Sequence, residues 1–328
     1  MKILFLEPKN KGLYYEQFSL ALKEKNEVFQ YGPGYDFYDS RHTIQNILNI
    51  YSLSTRNRKP DLILFGFGWE DDAHPDRFNF HNVDLSMQNI NITKAFVVNK
   101  EYKKLDQKFD FIKQNNIDLC FTVHHDCDKF QDKTGKSFYR MPFAANDKIF
   151  KNYNEEKKID LGFSGNMFNS ATYKDTPIMG KYFQNIREKI FNHLKDPMYK
   201  NINIWWNSNA GNFLFGEDYS RLINSSKIWL NTPSAIEIVG TRFYEVIASN
   251  TLLFCRECDW AYDGLGFSDG ETCVTFKSDL SDFQEKFFYY LNNQQEREKI
   301  VTNAYNLFLE KHTWSHRVDF LLEKVNKK

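Results

Sequence analysis

Lys227-Ile228-Trp229-Leu230-Asn231, followed six residues later by Glu237-Ile238-Val239-Gly240-Thr241-Arg242-Phe243-Tyr244-Glu245, is the stretch whose reading decides the fold. The first five residues form an apolar strand pattern, and Phe243 to Ile247 begin a short helical one. Glu237 is therefore expected in a loop at a strand's C-terminal end, with Glu245 one turn into the next helix. Gly240 and Thr241 stand where that helix starts, so their backbone N–H groups have no intrahelical partner and can face an anion. An acid before the helix, bare amides at its start and a second acid inside it suit a ligand that carries both hydroxyls and a diphosphate. Hydroxyls need acceptors and phosphates need donors.

Working outward, short apolar runs alternate with longer helical patterns, the signature of parallel βα units. Expected strands in the first half are Ile3 to Leu6, Val28 to Tyr31, Leu62 to Gly66, Ala95 to Asn99, Leu119 to Val123 and Phe138 to Met141. Helices are expected over Tyr14 to Lys25, Arg41 to Tyr51 and Tyr102 to Asn115. The polar run from Lys151 to Lys158 reads as a linker near residue 152. A second series starts at Ile159 and continues through a helix over Gly180 to Leu194 and a strand over Ile202 to Trp206. It then runs through a helix over Glu217 to Asn224, a strand over Ile228 to Asn231, a helix over Arg242 to Ala248 and strands over Leu252 to Cys255 and Cys273 to Phe276. Helices over Leu280 to Asn292, Gln295 to Leu309 and Trp314 to Val325 close the chain. The economical reading is an α/β protein of two doubly wound halves, with ligands bound at the C-terminal ends of the strands in a cleft between them.

Bulk properties narrow the field. At 328 residues the chain has room for two domains. Its 43 basic residues balance 43 acidic ones, which argues against a nucleic-acid partner bound on a basic face. Mean hydropathy is −0.60, yet 31 Phe, 18 Tyr and 6 Trp supply core material. Five cysteines form no disulfide framework, and the single C-x-x-C of Cys255 and Cys258, with no second pair or nearby His, reads as buried thiols rather than zinc ligands. No signal peptide and no transmembrane segment is read in the chain, so a cytoplasmic location is expected.

From about Gly216 onward the chain resembles the donor-binding domain of GT-B glycosyltransferases, closest to the family 4-like and CgeB-like groups. The features that carry the likeness come in order. Tyr219-Ser220-Arg221-Leu222-Ile223-Asn224 leads into Ile228 to Asn231 and Pro233-Ser234. The acidic pair follows, then Val246-Ile247-Ala248-Ser249-Asn250-Thr251-Leu252-Leu253, with Asn250 where the family usually has Gly. Asp269-Gly270-Glu271 and Asp279-Leu280 come next, and His312-Thr313-Trp314-Ser315-His316-Arg317 resembles the start of the final helix that crosses back to the first domain. Thr241-Arg242-Phe243 is typical of the CgeB-like group.

The resemblance implies two Rossmann-like domains facing a central cleft. An N-terminal acceptor-side domain would span 1–152, a nucleotide-sugar donor domain 153–312, and a returning helix 313–328. Glu245 would accept from ribose hydroxyls and Glu237 from the donor sugar near the reacting centre. Gly240 and Thr241 would give N–H donors to the diphosphate and Arg242 its planar cation. Ser164-Gly165-Asn166, ending the first strand of the second half, would allow close approach of phosphate or sugar. Lys181, Arg187 and Lys189 read rather as a solvated helix face.

His124-His125-Asp126-Cys127-Asp128 follows a strand end, and Asp126-Cys127-Asp128 is formally the D-x-D of metal-dependent transferases. No metal site is expected there. His124, His125 and Asp126 read as catalytic candidates able to accept a proton. Trp69 and Glu70 read as acceptor-binding, and Gly12 as part of a loop near the donor phosphates. Trp205 and Trp206 read as core, and His312 and Arg317 as anchors of the returning helix. The expected activity is glycosyl transfer, hexosyl or pentosyl, from a UDP- or GDP-sugar to a hydroxyl acceptor on a glycan, lipid or protein. It would be retaining and metal-independent, with no cofactor beyond the sugar nucleotide as co-substrate. A nucleotide-sugar epimerase and a non-catalytic binding or coat-assembly protein are the alternatives.

Overall fold

The computed structural model describes residues 1–9, 14–68, 87–167, 186–208, 214–234 and 236–328. It divides into two units, Met1–Pro142 with Trp314–Lys328, and Phe143–Thr313. The change of unit falls at 142/143, where residue 152 was expected.

In the first unit the order is β1 (Lys2–Leu6), α1 (Tyr14–Lys25), β2 (Glu27–Tyr31), α2 (Ile44–Ser54), β3 (Leu62–Phe65), β4 (Thr93–Val98), α3 (Leu105–Gln114), β5 (Leu119–Thr122), α4 (Cys127–Thr134) and β6 (Ser137–Arg140). The strands form one sheet in the order β2-β1-β3-β4-β5-β6, and every pairing is parallel. β3 reads Leu-Ile-Leu-Phe and is buried throughout, as a strand covered on both faces requires. Leu4, Ile63, Phe65, Phe96 and Ile112 belong to its core cluster. The helix α2 starts at Thr43, whose hydroxyl accepts from the Asn46 backbone N–H while the Asn46 side chain reaches back, a reciprocal cap.

The second unit contains β7 (Ile159–Ser164), α5 (Ile186–His193), β8 (Ile204–Asn207), α6 (Gly216–Asn224), β9 (Ser226–Asn231), α7 (Thr241–Ala248), β10 (Leu252–Arg256), α8 (Asp259–Tyr262), β11 (Val274–Phe276), α9 (Phe283–Asn292) and α10 (Gln294–Lys311). Its parallel sheet runs β8-β7-β9-β10-β11. Gly162 in β7 is required by packing: a Cβ there would lie 2.2 Å from the Trp229 ring on β9. Asn250, between α7 and β10, has φ +54°, a left-handed conformation. That conformation explains a preference for Gly at this position, and Asn is the residue that tolerates it best after Gly. The Trp205 ring lies 5.6 Å from Trp229 and that of Trp206 stacks at 4.0 Å on Phe163, so both serve the core.

A last helix, α11 (Trp314–Asn326), belongs to the first unit. Trp314 is buried against Phe18 and Phe67, and its Nε1–H donates to Gln17 at 3.0 Å. Arg317 donates from Nε to the Pro142 carbonyl at 2.8 Å. In the second unit His312 contacts the Leu265 carbonyl through Nε2 at 2.8 Å and lies parallel to the Phe267 ring.

In each sheet the strand order reverses beside the first strand, between β1 and β3 and between β7 and β9. The crevice outside the carboxyl ends of such a pair is where doubly wound sheets bind ligands. A cavity of about 270 Å³ bordered by Asn91, Thr93, Lys94, Asp118 and Lys328 lies at the opposite, amino-terminal edge of β4 and β5 and is not part of either crevice. Among the described residues no helix is long and apolar enough to cross a membrane.

Candidate active site

The second unit's reversal point collects most of the expected donor-binding residues. Ser164 ends β7, and its Oγ accepts from Arg242 Nε at 3.2 Å and is hydrogen-bonded to the Tyr219 hydroxyl at 2.5 Å. Tyr219 comes from α6, and burial pushes its hydroxyl up to about 12, so it remains a neutral donor and acceptor. Arg242 and Glu245 come from α7, whose buried residues are Phe243, Tyr244, Val246, Ile247 and Ala248. Packing those five inward leaves Thr241, Arg242 and Glu245, at helical spacing, on the half-buried side. Thr241 stands one helical turn before Glu245. Burial pushes the Glu245 carboxyl up to about 7, and the Arg242 charge and the nearby Thr241 hydroxyl only partly oppose the rise.

Gly240 is the N-cap of α7, in extended backbone and with no side-chain cap, so the first N–H groups of the helix are not closed off by a side chain. A Cβ built on Gly240 would meet nothing within 4 Å, so the approach to the helix start is open. Arg187 corrects the expectation of a solvated helix face. It is buried, donates from Nε to Thr232 Oγ1 at 2.9 Å and from its guanidinium to the Asn166 carbonyl at 2.5 Å, and so ties the loop after β7 to the end of β9. Lys189 is exposed, and Lys181 lies outside the described residues.

Glu237 is the most constrained member of the set. It is 6% exposed, with φ +61°, and both carboxylate oxygens are held: Arg256 donates to Oε1 at 3.1 Å and the Trp260 indole N–H to Oε2 at 2.6 Å. Its loop is closed by the Glu237 N–H to the Ser234 carbonyl at 2.8 Å and by the Ser234 N–H to the Ile238 carbonyl at 2.9 Å. Each carboxylate oxygen retains a further lone pair for a ligand hydroxyl. Cys255 and Cys258 are buried thiols at either end of the segment that carries Arg256.

In the first unit His124, His125 and Asp126 follow β5 and are brought together. The imidazoles stack at 4.3 Å, and His124 Nδ1 accepts from the Asp126 backbone N–H at 3.1 Å. That hydrogen bond leaves the neutral ring's proton on Nε2. The three groups each present a possible ligand atom within 4.8 Å of the others, the arrangement among the described residues that could hold a metal ion. Lys129 already pairs with the Asp126 carboxylate at 2.9 Å and supplies the positive charge an ion would bring. Trp69, Glu70 and Gly12 lie outside the described residues.

Two acids at this edge carry no sequence motif. Glu7, just past β1, is 2% exposed, and burial raises its carboxyl well above the usual range, the Gly68 backbone amide opposing the rise only in part. Its Oε2 occupies the space over Gly66, where a Cβ would lie 1.5 Å away. Glu101 is fully buried, accepts from the Thr122 hydroxyl at 2.5 Å and is likewise raised by burial. An acid directly after an apolar strand run is the signal that could have marked Glu7; for Glu101 there is none.

With two parallel sheets and these strand orders, the chain has the GT-B fold of glycosyltransferases. Residues 175–323 match the family described as Glycosyl transferase-like. Among solved structures the chain is similar to HepE of Anabaena in complex with UDP-glucose, at a TM-score of 0.61 and 10% identity over 100% of both chains. It is similar to a glycosyltransferase from Rickettsia africae, at 0.62 and 11% identity over 99% of this chain and 97% of that one. An E. coli trehalose-6-phosphate protein bound with UDP-2-fluoro glucose gives 0.64 and 10% identity over 100% and 99%. No curated protein matches by sequence.

Proposed function

We propose that the chain is a glycosyltransferase that moves a sugar from a nucleoside-diphosphate sugar to a hydroxyl acceptor. The observation that carries this reading is the convergence of Ser164, Tyr219, Arg242 and Glu245 beside the uncapped start of α7 at the sheet's reversal point. Glu245 would take the ribose hydroxyls, the amides of Gly240 and Thr241 with Arg242 the diphosphate, and Ser164-Gly165-Asn166 would line its approach. Glu237 would take a hydroxyl of the donor sugar. HepE and the E. coli protein are recorded with UDP-sugars, which supports a UDP-sugar as the first donor to try.

In a retaining transfer the acceptor oxygen attacks C1 on the face that the diphosphate leaves. The C1–O bond to phosphate breaks as the new C–O bond forms, and the leaving phosphate oxygen takes the acceptor's proton. Negative charge growing on that oxygen is met by helix amides and the guanidinium, fixed donors that need no reorganisation. In an inverting transfer a proton acceptor is needed, and His124, His125 and Asp126 are the candidates. Glycan, lipid and protein acceptors all present the hydroxyl this chemistry needs.

Incubation with UDP-, GDP- and dTDP-sugars, with and without sugar and lipid acceptors, tests the proposal. Released nucleoside diphosphate with glycosylated acceptor, or slow donor hydrolysis without one, is the expected result. An isomerised donor assigns an epimerase instead. Binding of every donor without turnover assigns a non-catalytic protein.

A further inference from the structure

We infer that Trp260 is a sugar-contacting specificity residue, its exposed indole face stacking on the pyranose ring of the donor; the inference rests on the transferase reading above. Trp260 lies in the four-residue helix α8, where Ala261 and Tyr262 turn inward while Trp260 stays 49% exposed. Burial of an indole is among the larger stabilising contributions a side chain can make, so a half-exposed one forgoes much of it. This one is also held still. Its N–H donates at 2.6 Å to Glu237 Oε2, and Arg256 holds the other oxygen.

Glu237 and Trp260 thus form a rigid pair of opposite character, a carboxylate with lone pairs to spare and an accessible aromatic ring fixed beside it. A pyranose has the same two aspects, hydroxyls around its edge and a face of C–H bonds. Ligand sites use this division generally, with apolar and aromatic walls for contact and a few fixed polar groups for orientation. The carboxylate, already paired with Arg256, offers acceptor lone pairs that a sugar hydroxyl can fill. Trp260 therefore acts on the sugar and not on the nucleotide.

The test compares Trp260→Phe, which keeps an aromatic face but loses the N–H, with Trp260→Leu, which loses both. Calorimetry measures binding of UDP, UDP-glucose, GDP and GDP-mannose to the wild type and both variants, and thermal melting verifies that each variant folds. Expected are nucleoside-diphosphate affinities within about twofold of wild type in both variants. The sugar nucleotide should bind about tenfold more weakly in Trp260→Leu and within about threefold of wild type in Trp260→Phe. Equal losses in Phe and Leu would assign the effect to the Glu237 hydrogen bond and overturn the stacking role, as would an unchanged Trp260→Leu or a parallel loss of nucleotide and sugar nucleotide. A wild type that binds none of the four ligands overturns the donor site itself and this inference with it.

Discussion

Glu245→Gln is the substitution that best isolates the donor-site assignment. Burial lifts the Glu245 carboxyl to about 7, so its ionised fraction rises from about one tenth at pH 6 to about nine tenths at pH 8. If ribose hydroxyls donate to the carboxylate, binding selects the ionised form, and apparent affinity scales with that fraction. The wild type should therefore bind UDP-glucose about tenfold more tightly at pH 8 than at pH 6, a difference of about 1.4 kcal/mol. UDP-glucose suits the measurement because its diphosphate, esterified at both ends, does not titrate in this window. Gln cannot ionise, so the variant should bind weakly with a flat profile, which separates Glu245 from the eight histidines also present. Calorimetry at five pH values between 6 and 8 reads the slope. A wild-type slope preserved in Glu245→Gln, or a flat wild type, refutes the assignment. The same shift has a consequence for stability, with its sign set by the raised value. The folded chain holds this proton more tightly than the unfolded chain, so stability falls as pH rises from the ordinary 4.5 to about 7 and then levels off.

Removing Arg256 while Glu237 stays buried should destabilise the second unit, since one partner of a buried pair is left behind. Because Trp260 still holds Oε2, the loss in Arg256→Ala should be near the lower end of the usual range, about 3 kcal/mol by urea denaturation, with part recovered in Arg256→Ala/Glu237→Gln. Gly240→Ala meets no atom within 4 Å, so its stability should stay within about 0.5 kcal/mol of wild type while a methyl group at the helix start weakens UDP binding severalfold; unchanged binding would remove the phosphate from that position. Glu7→Gln keeps the shape of a side chain whose carboxyl burial raises well above the usual range, so the folded chain holds its proton more tightly than the unfolded chain does. Wild-type stability should therefore decline relative to this variant as pH rises from about 5 to 8, read by melting temperature, and identical pH profiles would show that Glu7 ionises freely.

Both parallel sheets were legible because buried strands such as Leu62–Phe65 and Leu252–Arg256 are near-continuous apolar runs between helical patterns. The loop, N-cap and helix of Glu237, Gly240 and Glu245 were readable for the same reason, since each sits at a fixed offset from a strand end or a helix start. The helices α4 and α8 were not foreseen. Cys127–Thr134 is largely polar, with only Phe130 and Thr134 buried, and a four-residue helix has no period to detect. Side-chain partnerships lay further out of reach. Arg187 looked like one basic residue among several on a helix, and only the fold brings it to Thr232 and Asn166. Arg256 and Trp260 lie 19 and 23 residues beyond Glu237, and no local spacing announces that they share its carboxylate.

The return of Trp314–Asn326 to the first unit bears on how the chain comes off the ribosome. Residues 143–313 make up the whole second unit and emerge in one piece, so it can close as soon as they have left the exit tunnel. The first unit emerges earlier but lacks Trp314, the ring that covers Phe18 and Phe67, until the whole second unit has been translated. The usual vectorial order is thereby reversed, and the half made first is finished last. During that interval its uncovered aromatic surface is a natural target for chaperones, and a nascent chain stalled before residue 314 would keep presenting it.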